Sequence, residues 1–86
     1  MEQNNEEQRL NAGRRIKTAR SLAGISRKDL ESKYGISMHT LQSWELGRNP
    51  ITEKAASKLV EIFHSSGVHC SAQWLLSGSG KSPSLL

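Results

Sequence analysis

Apolar residues recur at intervals of three and four along most of the chain, which is the spacing of a helix face buried against a core. The first run places Ile16, Ala19 and Ala23 on one face of a helix over about 8–23. No segment alternates apolar and polar residues over the length of a strand, so the pattern gives no support for a sheet. The pattern therefore predicts an all-α fold.

Four further helices follow from the same spacing, over about 27–34, 38–46, 53–66 and 72–76. Glycines end the apolar runs, and a serine or threonine precedes each new run, as left-handed C-caps and side-chain N-caps require. Isolated helices shorter than about 12 residues are marginal in water, so the three short helices must depend on packing. The sequence predicts five helices that stabilise one another.

The 86 residues are enough for one domain, because chains usually divide at about 100–200 residues per domain. We expect a flexible acidic N-terminus over 1–7, a folded domain over 8–77 and a flexible tail or linker over 78–86. The sequence has neither a signal-peptide pattern nor a run of about 18 apolar residues, so no membrane segment is expected. The single cysteine, Cys70, excludes an internal disulfide and fits a reducing compartment.

Basic side chains are concentrated in one part of the sequence. The chain has 12 Lys and Arg against 8 Asp and Glu, for a net charge of +4. Residues 8–28 hold seven of the basic side chains and no acidic one, whereas three of the eight acids lie in residues 1–7. Such a segment favours an acidic partner, for example nucleic acid, without identifying it.

Two short predicted helices within 27–48 are joined by a turn over 35–38 that begins with a glycine. A turn of this kind lets the second helix cross the first at a steep angle, which is the helix-turn-helix arrangement. On a helical wheel with Leu41 and Trp44 inward, the residues on the opposite face are His39, Gln42, Ser43 and Leu46, and Met38 projects from the first turn. A face of this kind can enter the major groove of DNA.

A family resemblance is carried by Ile16-Lys17 with Arg20, Gly24-Ile25-Ser26, Leu30, Tyr34-Gly35-Ile36-Ser37, Leu41, Trp44-Glu45 with Gly47-Arg48-Asn49-Pro50, and Trp74-Leu75-Leu76. Over about 10–78 the chain resembles the lambda-repressor-like helix-turn-helix domains of the phage-repressor and Cro type. The resemblance implies an all-α domain of five helices, in which helices two and three form the helix-turn-helix and helix three is the recognition helix.

The resemblance also implies which residues contact DNA. The residues implied to read base edges are Met38, His39, Thr40, Gln42 and Ser43. The residues implied to contact phosphates are Ser26, Arg27, Lys28, Ser37, Arg48 and Asn49. Arg20 and Glu45, by contrast, are implied to form an ion pair inside the domain.

The chain departs from the family pattern at two positions. The family usually has glutamine where this chain has Arg27, which implies a charged phosphate contact with a stronger dependence on salt. It usually has a small residue where this chain has Glu31. We expect this carboxylate either to alter the crossing of helices two and three slightly or to reach a basic neighbour.

Other chemistry finds little support in the sequence. Gly80-Lys81-Ser82 ends like a phosphate-binding loop, but that motif needs a glycine where Leu75 stands. His64, His69 and Cys70 are too few for a zinc site, so no metal or cofactor is expected. No arrangement of nucleophile, base and acid typical of catalysis can be argued, so we predict that the protein is not an enzyme.

Together these observations predict a sequence-specific DNA-binding transcriptional regulator, more often a repressor in this family. Its expected partner is double-stranded DNA, bound as a homodimer at two half-sites, with helix five as the candidate dimer contact. The expected location is the cytoplasm of a bacterial or phage-infected cell, at the nucleoid. The alternative is a protein-interaction module on the same fold, such as an antitoxin or an antirepressor. A further alternative is that these residues are the DNA-binding part of a longer repressor with a C-terminal domain, or that they act with a protein partner.

Overall fold

The structure is a computed structural model of the protein, in which residues 5–86 are described. Its elements in chain order are α1 (Glu6–Ala23), α2 (Arg27–Tyr34), α3 (Met38–Glu45), α4 (Glu53–Ser65), β1 (Val68–His69), α5 (Ala72–Ser77) and β2 (Ser84–Leu85). The five helices confirm the predicted all-α fold, and their bounds agree with the sequence pattern to within two residues. None of these helices is long and apolar enough to span a bilayer.

Each helix begins at a side chain that accepts a hydrogen bond from an amide of the first turn. The most complete start is that of α2, where Ser26 Oγ accepts from the amide of Asp29 at 3.0 Å and Asp29 Oδ2 accepts from the amide of Ser26 at 3.4 Å. This is the reciprocal capping box, which satisfies two amides that the helix itself cannot bond.

Helix α1 lies against α3, α4 and α5 and holds these elements together. At Gly13 it lies close to the end of α3, because a Cβ added there would be 2.5 Å from the carbonyl oxygens of Trp44 and Glu45. No side chain fits at that distance, so the glycine allows the backbone of α1 to touch the end of α3. This contact fixes where α3 lies in the domain.

The core is continuous between the helices. Its fully buried side chains include Ile16 of α1, Leu30 of α2, Leu41 of α3 and Phe63 of α4. The thiol of Cys70 is also buried, and this burial raises its pKa above the ordinary value of a thiol. The two short helices of the helix-turn-helix are therefore anchored to the same core as the long ones, as their length requires.

One pairing of short strands differs from the expectation of no sheet. Val68–His69 and Ser84–Leu85 run antiparallel, with Val68 opposite Leu85, and the amide of Leu86 donates to the carbonyl of Gly67 at 2.9 Å. Two residues per strand are too few for an alternating pattern to appear in the sequence.

This pairing lies in one of the expected ends of the domain. Within the segment 78–86, predicted to be a flexible tail or linker, Ser84–Leu85 pair with the segment between α4 and α5. At the other end, α1 begins at Glu6, inside the expected acidic N-terminus. The rest of that expectation, residues 1–4, lies outside the described residues.

Candidate nucleic-acid interface

Helices α2 and α3 cross through a three-residue connection, 35–37. Gly35 ends α2 in the left-handed conformation, with φ of 74°, and Ser37 begins α3. Between them Ile36 is buried with Leu30 and Leu41, so one apolar side chain from each part holds the crossing. This is the geometry of a helix-turn-helix, in which one side of the second helix is left exposed.

Four of the five predicted base-reading residues lie on that exposed side of α3. They are Met38, His39, Thr40 and Gln42. Three of them carry hydrogen-bonding groups, and Met38 is 41% exposed although it is apolar. Leu46, just after α3, is exposed as well. The exposed side of α3 therefore combines polar side chains with a limited apolar surface.

Ser43 does not lie on the exposed side, which corrects its predicted orientation. Its side chain is buried, and its Oγ accepts a hydrogen bond from Asn49 Nδ2 at 2.6 Å. The cause is the turn after α3, where the amide of Arg48 donates to the carbonyl of Ser43 at 2.9 Å and brings the chain back over the last helical turn. A helical wheel of α3 alone contains no information about this turn.

The predicted phosphate contacts lie around the starts of α2 and α3 and in the turn after α3. Ser26, Lys28, Ser37, Arg48 and Asn49 are exposed. The hydroxyl of Ser37 accepts from the amides of His39 at 3.1 Å and Thr40 at 3.4 Å. At the start of α2, the amides of Arg27 and Lys28 have no acceptor within the described part of the chain.

Arg20 and Glu45, the predicted ion pair, are brought together by the contact of α1 with α3. Arg20 Nε lies 2.7 Å from Glu45 Oε2, and Arg20 Nη2 lies 3.2 Å from Oε1. A third bond runs from Arg20 Nη1 to the carbonyl of Ile25 at 3.0 Å. Because the side chain of Glu45 is only 1% exposed, this bidentate pair compensates a carboxylate that water does not reach.

Arg27 is a second partner of the same carboxylate, which the sequence reasoning missed. Its Nη2 and Nε lie 2.9 Å and 3.2 Å from Glu45 Oε1. Its side chain is 33% exposed, so part of the guanidinium still faces solvent beside the start of α2. The family pattern that joined Arg20 to Glu45 usually has glutamine at the position of Arg27, and local spacing cannot join residues 18 positions apart on different helices. Two arginines around one carboxylate leave the cluster with a charge of +1.

Glu31 forms no ion pair with a basic side chain of residues 5–86, but its carboxylate accepts a backbone hydrogen bond. Its Oε2 accepts a hydrogen bond from the amide of Met38 at 3.1 Å, across the turn between α2 and α3. The side chain is exposed. The carboxylate therefore caps the first turn of α3 together with Ser37, and its negative charge lies at the positive end of that helix dipole.

Several basic side chains of residues 8–28 hold the fold together in addition to Arg20. Arg15 donates to the carbonyls of Leu75 and Leu76 at 3.2 Å each, and burial lowers the pKa of its guanidinium. Arg9 Nε donates to the carbonyl of Gly47 at 2.9 Å. The basic segment is therefore divided between internal contacts at helix ends and exposed cations.

Metal ligands do not assemble in the part of the chain that the structure describes. Within residues 5–86, no group of three or more His, Cys, Asp and Glu lies close enough to hold an ion. The rings of His64 and His69 meet edge to face, with their centroids 6.2 Å apart. Cys70 follows directly in the chain but is buried.

Comparison with known proteins identified one family. A family model described as helix-turn-helix matches residues 16–68, which is more than half of the chain. The match includes all of α2 and α3 and the turn between them. No curated protein sequence and no solved structure matches the chain.

Proposed function

Since the chain belongs to the lambda-repressor-like helix-turn-helix family of DNA-binding regulators, we propose that it is a sequence-specific transcriptional repressor. In this proposal it binds an operator with two half-sites as a homodimer, and α3 enters the major groove. The observation that carries the proposal is the exposed side of α3, where hydrogen-bonding side chains stand opposite a face buried in the core.

The side chains of α3 have complementary chemistry for base edges. His39 can donate to N7 or O6 of guanine, and Gln42 can pair with adenine through two hydrogen bonds. Met38 offers apolar contact with the methyl group of thymine, and the hydroxyl of Thr40 can donate or accept. Ser43 is left out of this proposed set, because its hydroxyl is buried against Asn49.

The proposed phosphate contacts surround this face. The free amides of Arg27 and Lys28 at the start of α2 suit an anion, because a helix N-terminus combines unpaired donors with a positive dipole end. The exposed cations of Lys28 and Arg48 add charge, and the hydroxyl of Ser26 retains a proton to donate. Ser37 is left out of this proposed set, because the carboxylate of Glu31 accepts from the next amide, that of Met38, and repels a phosphate there. Asn49 can contribute through the part of its amide that Ser43 does not use. These contacts set register and affinity but read no bases.

A homodimer on DNA would place two copies of α3 about 34 Å apart, one helical turn of DNA. The expected dimer contact through α5 has little support, since Trp74 and Leu75 are buried and Leu76 is half-buried. The apolar side chains with the largest exposed fractions lie elsewhere. They are Leu22, Leu46, Leu85 and Leu86.

A randomised-site selection at two salt concentrations tests the proposal. We expect enrichment of a sequence with two-fold symmetry, and a log affinity that falls with log salt by about 0.9 per phosphate contact. Enrichment of no sequence would contradict it. Binding to no DNA at all would favour the alternative, a protein-interaction module such as an antitoxin or an antirepressor.

Variants of the exposed side chains separate the two kinds of contact. His39→Ala with Gln42→Ala should weaken binding to the selected site by about 10-fold or more and leave binding to unrelated DNA unchanged. Arg48→Ala should weaken both and lower the salt slope by about 0.9. Lys58→Ala, at an exposed lysine of α4, is the matched control, and an equal effect of this variant would refute the assigned surface.

A further inference from the structure

The amides at the starts of α2 and α3 differ in their hydrogen-bond partners. At α2, the amides of Arg27 and Lys28 are free within the described part of the chain. At α3, the amide of Met38 donates to Glu31 Oε2 at 3.1 Å, and the next two amides donate to Ser37 Oγ. The first turn of α3 is therefore closed to any further acceptor, whereas that of α2 is open.

The acceptor at Met38 is unusual because it comes from another helix and carries a charge. Glu31 lies seven positions before Met38. Its side chain is exposed and lies at the N-terminal end of α3, beside the exposed side of that helix. A free helix N-terminus readily binds a phosphate. Here a carboxylate already occupies the amide, and its charge repels any phosphate that approaches.

We infer that Glu31 is a positioning residue that determines specificity, because it denies the first turn of α3 to backbone phosphates and leaves that turn to base edges. The inference rests on the proposed function. In a register that places a DNA phosphate at the start of α3, the phosphate cannot bond to the amide of Met38, and the carboxylate of Glu31 repels it. In the register where phosphates meet α2 and bases meet α3, Glu31 costs little. Such a repulsive element separates correct from incorrect partners more than it strengthens the correct one.

Two variants of Glu31 test the inference. Glu31→Gln keeps a neutral acceptor for the amide of Met38 and removes the charge, and Glu31→Ala removes both. Two unit charges of like sign about 7 Å apart in water repel each other by an energy that corresponds to about a threefold change in affinity. Both variants should therefore bind unrelated duplex DNA at least about threefold more tightly than the wild type. For unrelated duplex DNA, Glu31→Ala should also steepen the dependence of log affinity on log salt by about 0.9, because the freed amide of Met38 can bind one more phosphate.

The readout is the ratio of affinities for the selected site and for unrelated duplex DNA, measured by fluorescence anisotropy over a salt series. For both variants this ratio should fall about threefold or more, with affinity for the selected site changed less than about twofold. Glu61→Gln is the matched control: it removes an exposed carboxylate from α4, which packs on α1, β1 and α5. It should leave the ratio and the slope as in the wild type.

A purely structural role for Glu31 predicts different results. If the carboxylate only stabilises α3, Glu31→Ala should weaken binding to both kinds of DNA in proportion and Glu31→Gln should change neither, and this outcome would overturn the inference. An unchanged ratio in Glu31→Gln would overturn it even if Glu31→Ala does not fold. A wild-type protein that binds no duplex would overturn the proposed function, and the inference with it.

Discussion

The cluster of Arg20, Arg27 and Glu45 makes a sharp prediction about stability. The side chain of Glu45 is 1% exposed, whereas those of Arg20 and Arg27 are 14% and 33% exposed. An uncompensated buried charge costs about 3–5 kcal/mol. Because either arginine still compensates the carboxylate when the other is removed, each single substitution should cost much less than the loss of both.

The geometry sets the order of the expected effects. Arg20→Met removes a bidentate pair and a bond to the carbonyl of Ile25, and we expect a loss of about 2 kcal/mol. Arg27→Met removes two contacts of a side chain that is one-third exposed, and we expect about 1 kcal/mol. The double variant leaves Glu45 buried without a cation, so its loss should be about 5 kcal/mol and exceed the sum of the singles.

Adding Glu45→Met to the double variant should restore stability. Replacing a buried ion cluster by apolar side chains of similar volume is often neutral, so the triple variant should be at least about 3 kcal/mol more stable than the double. Urea unfolding followed by the fluorescence of Trp44 and Trp74 measures these differences. In thermal unfolding, 1 kcal/mol corresponds to about 4–8 °C in a domain of this size.

Two outcomes would refute this reasoning. If Arg20→Met alone destabilises as much as the double variant, Arg27 does not compensate Glu45. If the triple variant is no more stable than the double, the loss in the double arises from the missing side-chain volume and not from the buried charge. A matched control is Arg14→Met, which removes an exposed arginine of α1 and should change stability by less than about 0.5 kcal/mol.

Two further predictions concern close packing and burial. Gly13→Ala places a Cβ 2.5 Å from two carbonyl oxygens of α3, so it should destabilise by about 3 kcal/mol or more in urea unfolding. Ser57→Ala, at an exposed position of α4, should be near neutral. For Cys70, burial raises the pKa of the thiol in the folded state above that in the unfolded state. The contribution of the protonated thiol to the free energy of unfolding is therefore complete below the unfolded pKa and is lost as the pH rises through the folded pKa. The stability of the wild type relative to Cys70→Ala should therefore decline above about pH 9, and an unchanged difference would refute the stated cause.

The helices and their starts could be predicted from the sequence because they depend on residues three or four positions apart. The apolar spacing of α1 and the capping pattern of Ser26 with Asp29 are local, and the structure contains both. The exposed positions of α3 were predicted correctly at His39 and Gln42 for the same reason. They follow from the helical period alone.

The prediction was wrong where a residue's surroundings come from another element. Ser43 is buried by the turn that follows α3, and a helical wheel contains no such turn. Ser84–Leu85 pair with β1 through backbone groups, which every residue carries, so no residue type indicates the pairing. A more detailed analysis of local residue spacing could not have predicted the burial of Ser43 or this strand pairing.

The sequence by itself determined five helices, a helix-turn-helix and a basic segment beside it, because periodicity, capping and composition act over a few neighbouring residues. Apart from the pair of Arg20 with Glu45, which the family resemblance implied, only the tertiary structure decided which partners the charged side chains have. It brings Arg27 from α2 onto Glu45 of α3, and it lets Glu31 accept a hydrogen bond at the start of α3. Charges interact according to distance in space, and the fold sets that distance for residues separated in the chain.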